Sequence, residues 1–175
     1  DDAAAVEDEV RSIYASLFPG TARDFVGQAF GWADWCFAGG HPDYLPIDAR
    51  YHDFEHTMQG TLCLARLMRG LHAAGDAAAQ TVRAFELGIV AILFHDTGYL
   101  KVRSDTEGTG AKYTAGHVGR SAAFAEAFAP GQLRGSERGQ PPHQGLIVVA
   151  HGGRAVEHLV EEPVGLVAVE QPVWH

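Results

Sequence analysis

Apolar residues return every three or four positions through most of the first 130 residues, the period of helices that bury one face. Val6, Val10, Ile13, Tyr14 and Leu17 form such a stripe and predict a helix over 6–18, ended by Pro19-Gly20. Thr21 reads as the N-cap of a second helix through Phe25, Ala29, Trp32 and Phe37, broken by Gly39-Gly40 and Pro42. A connector over 44–50 follows. Met58, Leu62, Ala65 and Met68 then predict a helix over 52–71, closed by Gly75-Asp76. The most apolar helix is expected over 81–95, with Phe85, Ile89, Ile92 and Leu93 in register and Gly98 as its stop. Residues 104–112 are polar, contain Gly108 and Gly110, and read as a mobile surface loop. A last helix is predicted over 114–128, with His117, Ser121 and Phe124 at helical spacing.

Past Pro130 the pattern changes. Glycines and prolines crowd the chain between Gly131 and Gly145, a short apolar run covers 146–150, and 164–169 reads as a strand or irregular segment. The division expected is an all-α single-domain helical bundle over 1–130 and an atypical, irregular C-terminal tail over 131–175. No internal repeat is present, which argues against a solenoid.

Composition narrows the function classes. The 175 residues suffice for one full core, and 46% of them are apolar. The formal charge of −9 disfavours a bulk nucleic-acid binder, which needs cations against phosphate. It leaves room for a small anionic substrate, because a metal ion reverses the field locally. The longest apolar run, 89–94, is far short of the ~20 residues that span a bilayer. Cys36 and Cys63 lie in no CxxC pair and read as reduced thiols. With no basic leader segment visible, the expectation is a cytoplasmic protein, of unspecified oligomeric state.

The candidate chemistry lies in two histidine clusters. Tyr51-His52-Asp53-Phe54-Glu55-His56 places two histidines four apart, on one helix face. Phe94-His95-Asp96-Thr97-Gly98-Tyr99 ends the most apolar helix. An aspartate after six apolar residues is costly to bury without a partner, and a metal removes that cost. Capping of the Thr97-Gly98 turn is the rival use of Asp96. His41, His72, His158 and His175 read as surface or hydrogen-bonded residues. No HExxH or GxSxG is present, so zinc-protease and serine-hydrolase readings fall, and neither cysteine neighbours a histidine.

Leu93-Phe94-His95-Asp96-Thr97-Gly98-Tyr99 resembles the central signature of the HD-domain superfamily of metal-dependent phosphohydrolases. Tyr51-His52-Asp53-Phe54-Glu55-His56-Thr57 resembles the Tyr-His-Asn-x-x-His segment of its cyclic-nucleotide phosphodiesterase branch. The likeness covers residues 51–128. It implies an HD-type helical bundle with His56, His95 and Asp96 as ligands of the principal divalent metal ion. It further implies His52 as proton donor to the leaving oxygen and Asp53 as the residue that orients it. His117 matches a histidine that holds a second ion in some branches, as against one facing solvent; His151 is a weaker candidate. One or two ions of Zn, Mn, Fe, Co or Mg fit such ligands. The implied activity is hydrolysis of a small phosphorylated substrate, a phosphoester of a nucleotide. Lys101, Arg103 and Lys112 flank the polar loop as candidates for phosphate oxygens, or as a solvated basic face.

One departure bears on activity. The superfamily closes its metal site with an aspartate from a later helix, and this chain has no Asp after Asp105. Glu157 or His151 substitutes, or a coordination position stays open, or the tail differs from the family's. The alternative function is a degenerate HD domain that binds a nucleotide or a protein without turnover.

Overall fold

The computed structural model describes residues 3–21, 24–132, 147–151 and 154–158. Most of the expected tail over 131–175 therefore lies outside the described residues. Five helices carry the fold: α1 (Ala3–Leu17), α2 (Phe25–Phe37), α3 (Phe54–Ala73), α4 (Val82–Phe94) and α5 (His117–Gln132). The protein is all-α in its body, as the periodicity predicts. Beyond α5, β1 (Ile147–His151) and β2 (Arg154–His158) pair antiparallel, with Ile147 opposite His158 and His151 opposite Arg154.

The core is the sum of the predicted stripes. Val6, Val10, Ile13 and Tyr14 of α1, Phe25, Ala29 and Phe30 of α2, and Phe85, Ile89 and Leu93 of α4 are all buried in one cluster. Tyr14 and Phe18 lie 5.5 Å and 5.8 Å from the Phe85 ring, and Phe25 lies 5.7 Å from that of Tyr14. Such aromatic groups contribute beyond their buried area. Glu86 intrudes a carboxyl into this region, and the Tyr14 hydroxyl donates to it at 2.6 Å.

The pairing of α3 with α4 positions the site. A Cβ on Gly60 would meet Ile92 at 3.2 Å, and one on Gly88 would meet Leu64 at 3.2 Å. The ring of His56 lies 5.6 Å from that of His95. These contacts descend one helix as they climb the other, so the two run antiparallel. Glycine at both crossings lets the backbones approach, and the start of α3 is brought against the end of α4.

Several helix boundaries differ from expectation, each for a local reason. Asp24, not Thr21, caps α2, accepting from the Gly27 N–H at 3.1 Å. The Thr21 hydroxyl instead donates back to the Phe18 carbonyl at 2.8 Å. Helix α3 begins at Phe54, because the Asp53 carboxylate accepts from the His56 N–H at 2.9 Å and acts as its N-cap. Helix α4 is capped by Thr81 and ends at Phe94, with His95 as C-cap and a 3₁₀ turn over Thr97–Tyr99.

The loop expected to be mobile is tied down. Gly110 N–H donates to Asp48 Oδ1 at 2.6 Å, and Lys101 Nζ donates to the Gly108 carbonyl at 2.6 Å. Asp105 takes bonds from Lys112 and the Tyr113 hydroxyl. Residues 101–103 also pair with the 43–45 connector through Leu45 N–H to the Lys101 carbonyl and Arg103 N–H to the Asp43 carbonyl. Among the described residues, no helix is long and apolar enough to cross a membrane.

Candidate metal centre

The two histidine clusters meet. His52 precedes α3, His56 lies in its first turn, and His95 and Asp96 leave the end of α4. The antiparallel pairing puts all four together around one atom, Asp96 Oδ2. His52 Nδ1 lies 3.0 Å from it, His95 Nε2 3.1 Å and His56 Nε2 3.7 Å. Asp96 is 1% exposed. The donor atoms of His52, His56 and Asp96 all lie within 4.8 Å of one another. That mutual set includes His52, which the family resemblance gives to the substrate, while His95 closes on Asp96 from the end of α4.

Tautomers follow from the bonds on the far side of each ring. His95 Nδ1 lies 2.7 Å from the Ile92 carbonyl, which can only accept, so Nδ1 carries the hydrogen. In the neutral ring Nε2 then presents a lone pair toward Asp96 Oδ2, 3.1 Å away, whereas in the protonated ring Nε2–H donates to it. A lone pair facing a carboxylate oxygen in a buried site is repulsive unless a cation stands between them. A proton or a metal ion would serve.

The donor set fits a metal ion. In a tetrahedral site with bonds of about 2.1 Å, ligand atoms lie roughly 3.4 Å apart. The separations from Oδ2, 3.0–3.7 Å, are of that size, and the mutually close donors, His52, His56 and Asp96, lie within 4.8 Å of one another without His95. The carbonyl that fixes the His95 ring is the kind of outer partner that orients metal-bound imidazoles. The C-terminal end of α4 adds a partial negative potential beside His95.

Protonation equilibria reflect the crowding. Burial pushes the Asp96 carboxyl up, but His95 and His52 outweigh it and hold its pKa below the ordinary carboxylate value. Burial opposes charge on His95 too, yet the neighbouring Asp96 keeps its pKa above the ordinary imidazole value. For His56 burial prevails, helped by the nearby His95 and His52, and its pKa is lowered. The two shifts are opposite in direction, so His95 holds a proton more readily than His56 does.

The turn that carries His95 and Asp96 is clamped by α5. Ser121 Oγ donates to the His95 carbonyl and accepts from Gly98 N–H, the latter at 2.8 Å. Arg120 donates to the carbonyls of Gly98 and Leu100, both at 2.7 Å. A Cβ on Gly98 would fall 2.0 Å from the His117 carbonyl oxygen, so only glycine fits under α5. The Tyr99 ring packs on both His52, at 4.2 Å, and His117, at 4.7 Å, whose own rings are 6.3 Å apart. Ser121 is legible in the sequence only as a helical-spacing residue, and Arg120 not at all.

The remaining expected site residues are used differently. Asp53 caps α3 through His56 N–H rather than holding the His52 ring. Lys101, 6% exposed, is bound by Asp48 Oδ2 at 3.1 Å and the Gly108 carbonyl. Arg103 donates to the carbonyls of Pro42, Gly39 and His41, and Lys112 is held by Asp105 and the Glu107 carbonyl. These three cations fasten loops. His117 donates Nδ1–H to the Thr114 carbonyl at 2.7 Å, and its ring lies 6.3 Å from that of His52. His72 bonds the Ala79 carbonyl, and His41 accepts from Asp43 N–H. The side chains of His151, Glu157 and His158, and all of His175, lie outside the described residues.

Comparison with protein-family models, with curated proteins and with solved structures gives no match. The class defined by the fold and site is therefore an all-α domain with a buried histidine–aspartate cluster at the junction of two antiparallel helices.

Proposed function

We propose that the protein is a metal-dependent phosphohydrolase that cleaves a small phosphoester, a nucleotide by preference. One observation carries this: the buried Asp96 oxygen is ringed by His52, His56 and His95, on the residues that resemble the HD signatures. A nitrogen-rich donor set favours Zn, Mn, Fe or Co over Mg, which prefers oxygen. One ion is proposed, since His117 joins no ligand group among the described residues.

When bound, a divalent ion supplies a Lewis acid for the phosphoryl group and a water of lowered pKa. The chain's own residues do the rest. Asp96 and His56 would hold the ion, and His95, whose Nδ1 is engaged by the Ile92 carbonyl, would offer Nε2 to it. His52 gives its Nδ1–H to Asp96, which fixes the ring and leaves Nε2 to deliver a proton to the departing oxygen. Such acid catalysis typically supplies ~10²–10⁴-fold. The clamp of Ser121 and Arg120 keeps His95 and Asp96 from relaxing apart. The unpaired thiols of Cys36 and Cys63 support a reducing, cytoplasmic setting.

The test is release of phosphate or alcohol from nucleoside monophosphates, cyclic nucleotides and sugar phosphates, with Mn²⁺ or Zn²⁺ added, comparing wild type with Asp96→Asn. Metal-dependent turnover absent from the variant is the expected result. Metal binding with no turnover of any phosphoester would reject hydrolysis. It would favour the non-catalytic binding module, for which the single carboxylate of the cluster speaks.

A further inference from the structure

We propose that Tyr51 is the substrate-stacking residue of this site and selects phosphoesters that carry a planar base, nucleoside 5′-monophosphates above all. The inference rests on the phosphohydrolase reading and adds the part of the substrate distant from phosphorus.

Tyr51 combines two features that the fold alone does not explain. Its φ is +75°, and among the described residues it is the single non-glycine in the left-handed region. An aromatic residue adopts that conformation only at a cost, and such residues concentrate at functional sites. The cost is not offset by burial, since Tyr51 is 68% exposed, the most exposed large apolar side chain described.

The strained backbone does achieve one thing: it turns the ring over the metal cluster. The Tyr51 ring lies 4.6 Å from His56 at a 38° tilt and 5.5 Å from His52, edge to face. One side of the phenol is thus against His56, whose Nε2 is 3.7 Å from Asp96 Oδ2. The exposure lies on the remainder of the ring. A planar group stacked there would reach Asp96 past the Tyr51 and His56 rings, whose centroids are 4.6 Å apart, a path that the sugar and phosphate of a nucleotide would have to span. Base-on-aromatic stacking tolerates any base, because every base has a π-face. With Lys101, Arg103 and Lys112 all engaged elsewhere, Tyr51 is the exposed residue at the cluster best suited to grip the organic part of a substrate.

The experiment uses the full chain loaded with Mn²⁺ and two probes that differ only in the base, adenosine 5′-monophosphate and ribose 5-phosphate. Calorimetry should show wild type preferring the nucleotide by about tenfold or more, from stacking alone. Tyr51→Ala should bring that ratio to within about twofold, while Tyr51→Phe and Tyr51→Trp keep it. Tyr51→Gly should lose the preference yet melt no lower than Tyr51→Ala, because glycine relieves the left-handed strain. Equal affinity for both probes in wild type, or a preference that survives Tyr51→Ala, would overturn the proposal. So would a loss in Tyr51→Phe as large as in Tyr51→Ala, which would put the contact in the hydroxyl. Metal-dependent hydrolysis of both probes without base preference would sink the stacking role and leave the phosphohydrolase standing. Nucleotide binding through Tyr51 without hydrolysis would do the reverse.

Discussion

Lys101 and Asp96 are both charged and both almost wholly buried, at 6% and 1% exposure, yet their surroundings are opposite in kind. Lys101 has what it needs: one carboxylate, Asp48, and one carbonyl, Gly108. Donors and acceptors match, and the result is a fastening that ties the 104–112 loop to the connector. Asp96 has too many neighbours for one oxygen. Three imidazole nitrogens close on Oδ2, the buried His95 Nε2 among them. A satisfied buried pair is architecture. A carboxylate oxygen closed on by three imidazole nitrogens is a candidate cation site.

The comparison can be broken in several ways. Its largest consequence concerns His95→Ala, which should weaken divalent-ion binding by on the order of 100-fold or more, as for loss of a ligand and its outer partner. Titration with Mn²⁺ or Zn²⁺ under calorimetry reads this directly. Unaltered affinity would remove His95 from the site.

Lys101→Met should act on stability alone. Removing one member of a buried pair costs several kcal/mol, but Asp48 is 38% exposed and is partly screened. The expected loss is therefore about 2 kcal/mol in denaturant unfolding, with metal affinity retained. A fall in metal content without a fall in stability would mean that Lys101 belongs to the site after all.

Acidity should separate the clusters further. The His95 pKa is held above the ordinary 6.5 by Asp96, whereas that of His56 lies below it. In the metal-free protein His95 therefore keeps its proton to higher pH than His56 does. An entering ion must displace that proton, so affinity should rise about tenfold per pH unit until pH passes the His95 value. The sign for stability is opposite. A raised histidine stabilises the metal-free fold below 6.5, and that contribution is lost as pH rises through its folded value. Proton release on binding, compared across buffers of different ionisation heat, checks the stoichiometry. No release near neutral pH would argue against His95 as the protonated partner.

The smallest effect is expected at Ser121. Ser121→Ala removes the hydroxyl that joins the His95 carbonyl and Gly98 N–H. A cost of about 1 kcal/mol in stability and up to about tenfold in metal affinity is expected. A purely structural clamp would change stability and leave affinity alone.

The helical body was legible because burying one face imposes a period on α1, α2, α3 and α4. The meeting of His52 and His56 with His95 and Asp96 was legible as residue types at suitable spacing. What brings them together was not: the antiparallel crossing at Gly60 and Gly88 is a tertiary fact. Caps were read less well, since Asp24 and Thr21 are both good N-caps and only the chain's path selects between them. The anchoring of the basic residues was hidden for a related reason. A lysine in a polar loop reads as solvated, and nothing local tells that Asp48, far back in the chain, will bury it. The strain at Tyr51 is invisible in sequence, because only a backbone angle reports it.

The most direct test of the metal centre is elemental analysis of the full chain, purified without chelator and then incubated with Mn²⁺ or Zn²⁺, alongside thermal unfolding. The structure leads us to expect about one divalent ion per chain and a melting temperature that rises with added ion and falls with chelator. No bound ion under either condition, with unfolding indifferent to metal and chelator, would contradict the account and leave the Asp96 cluster satisfied by protons alone.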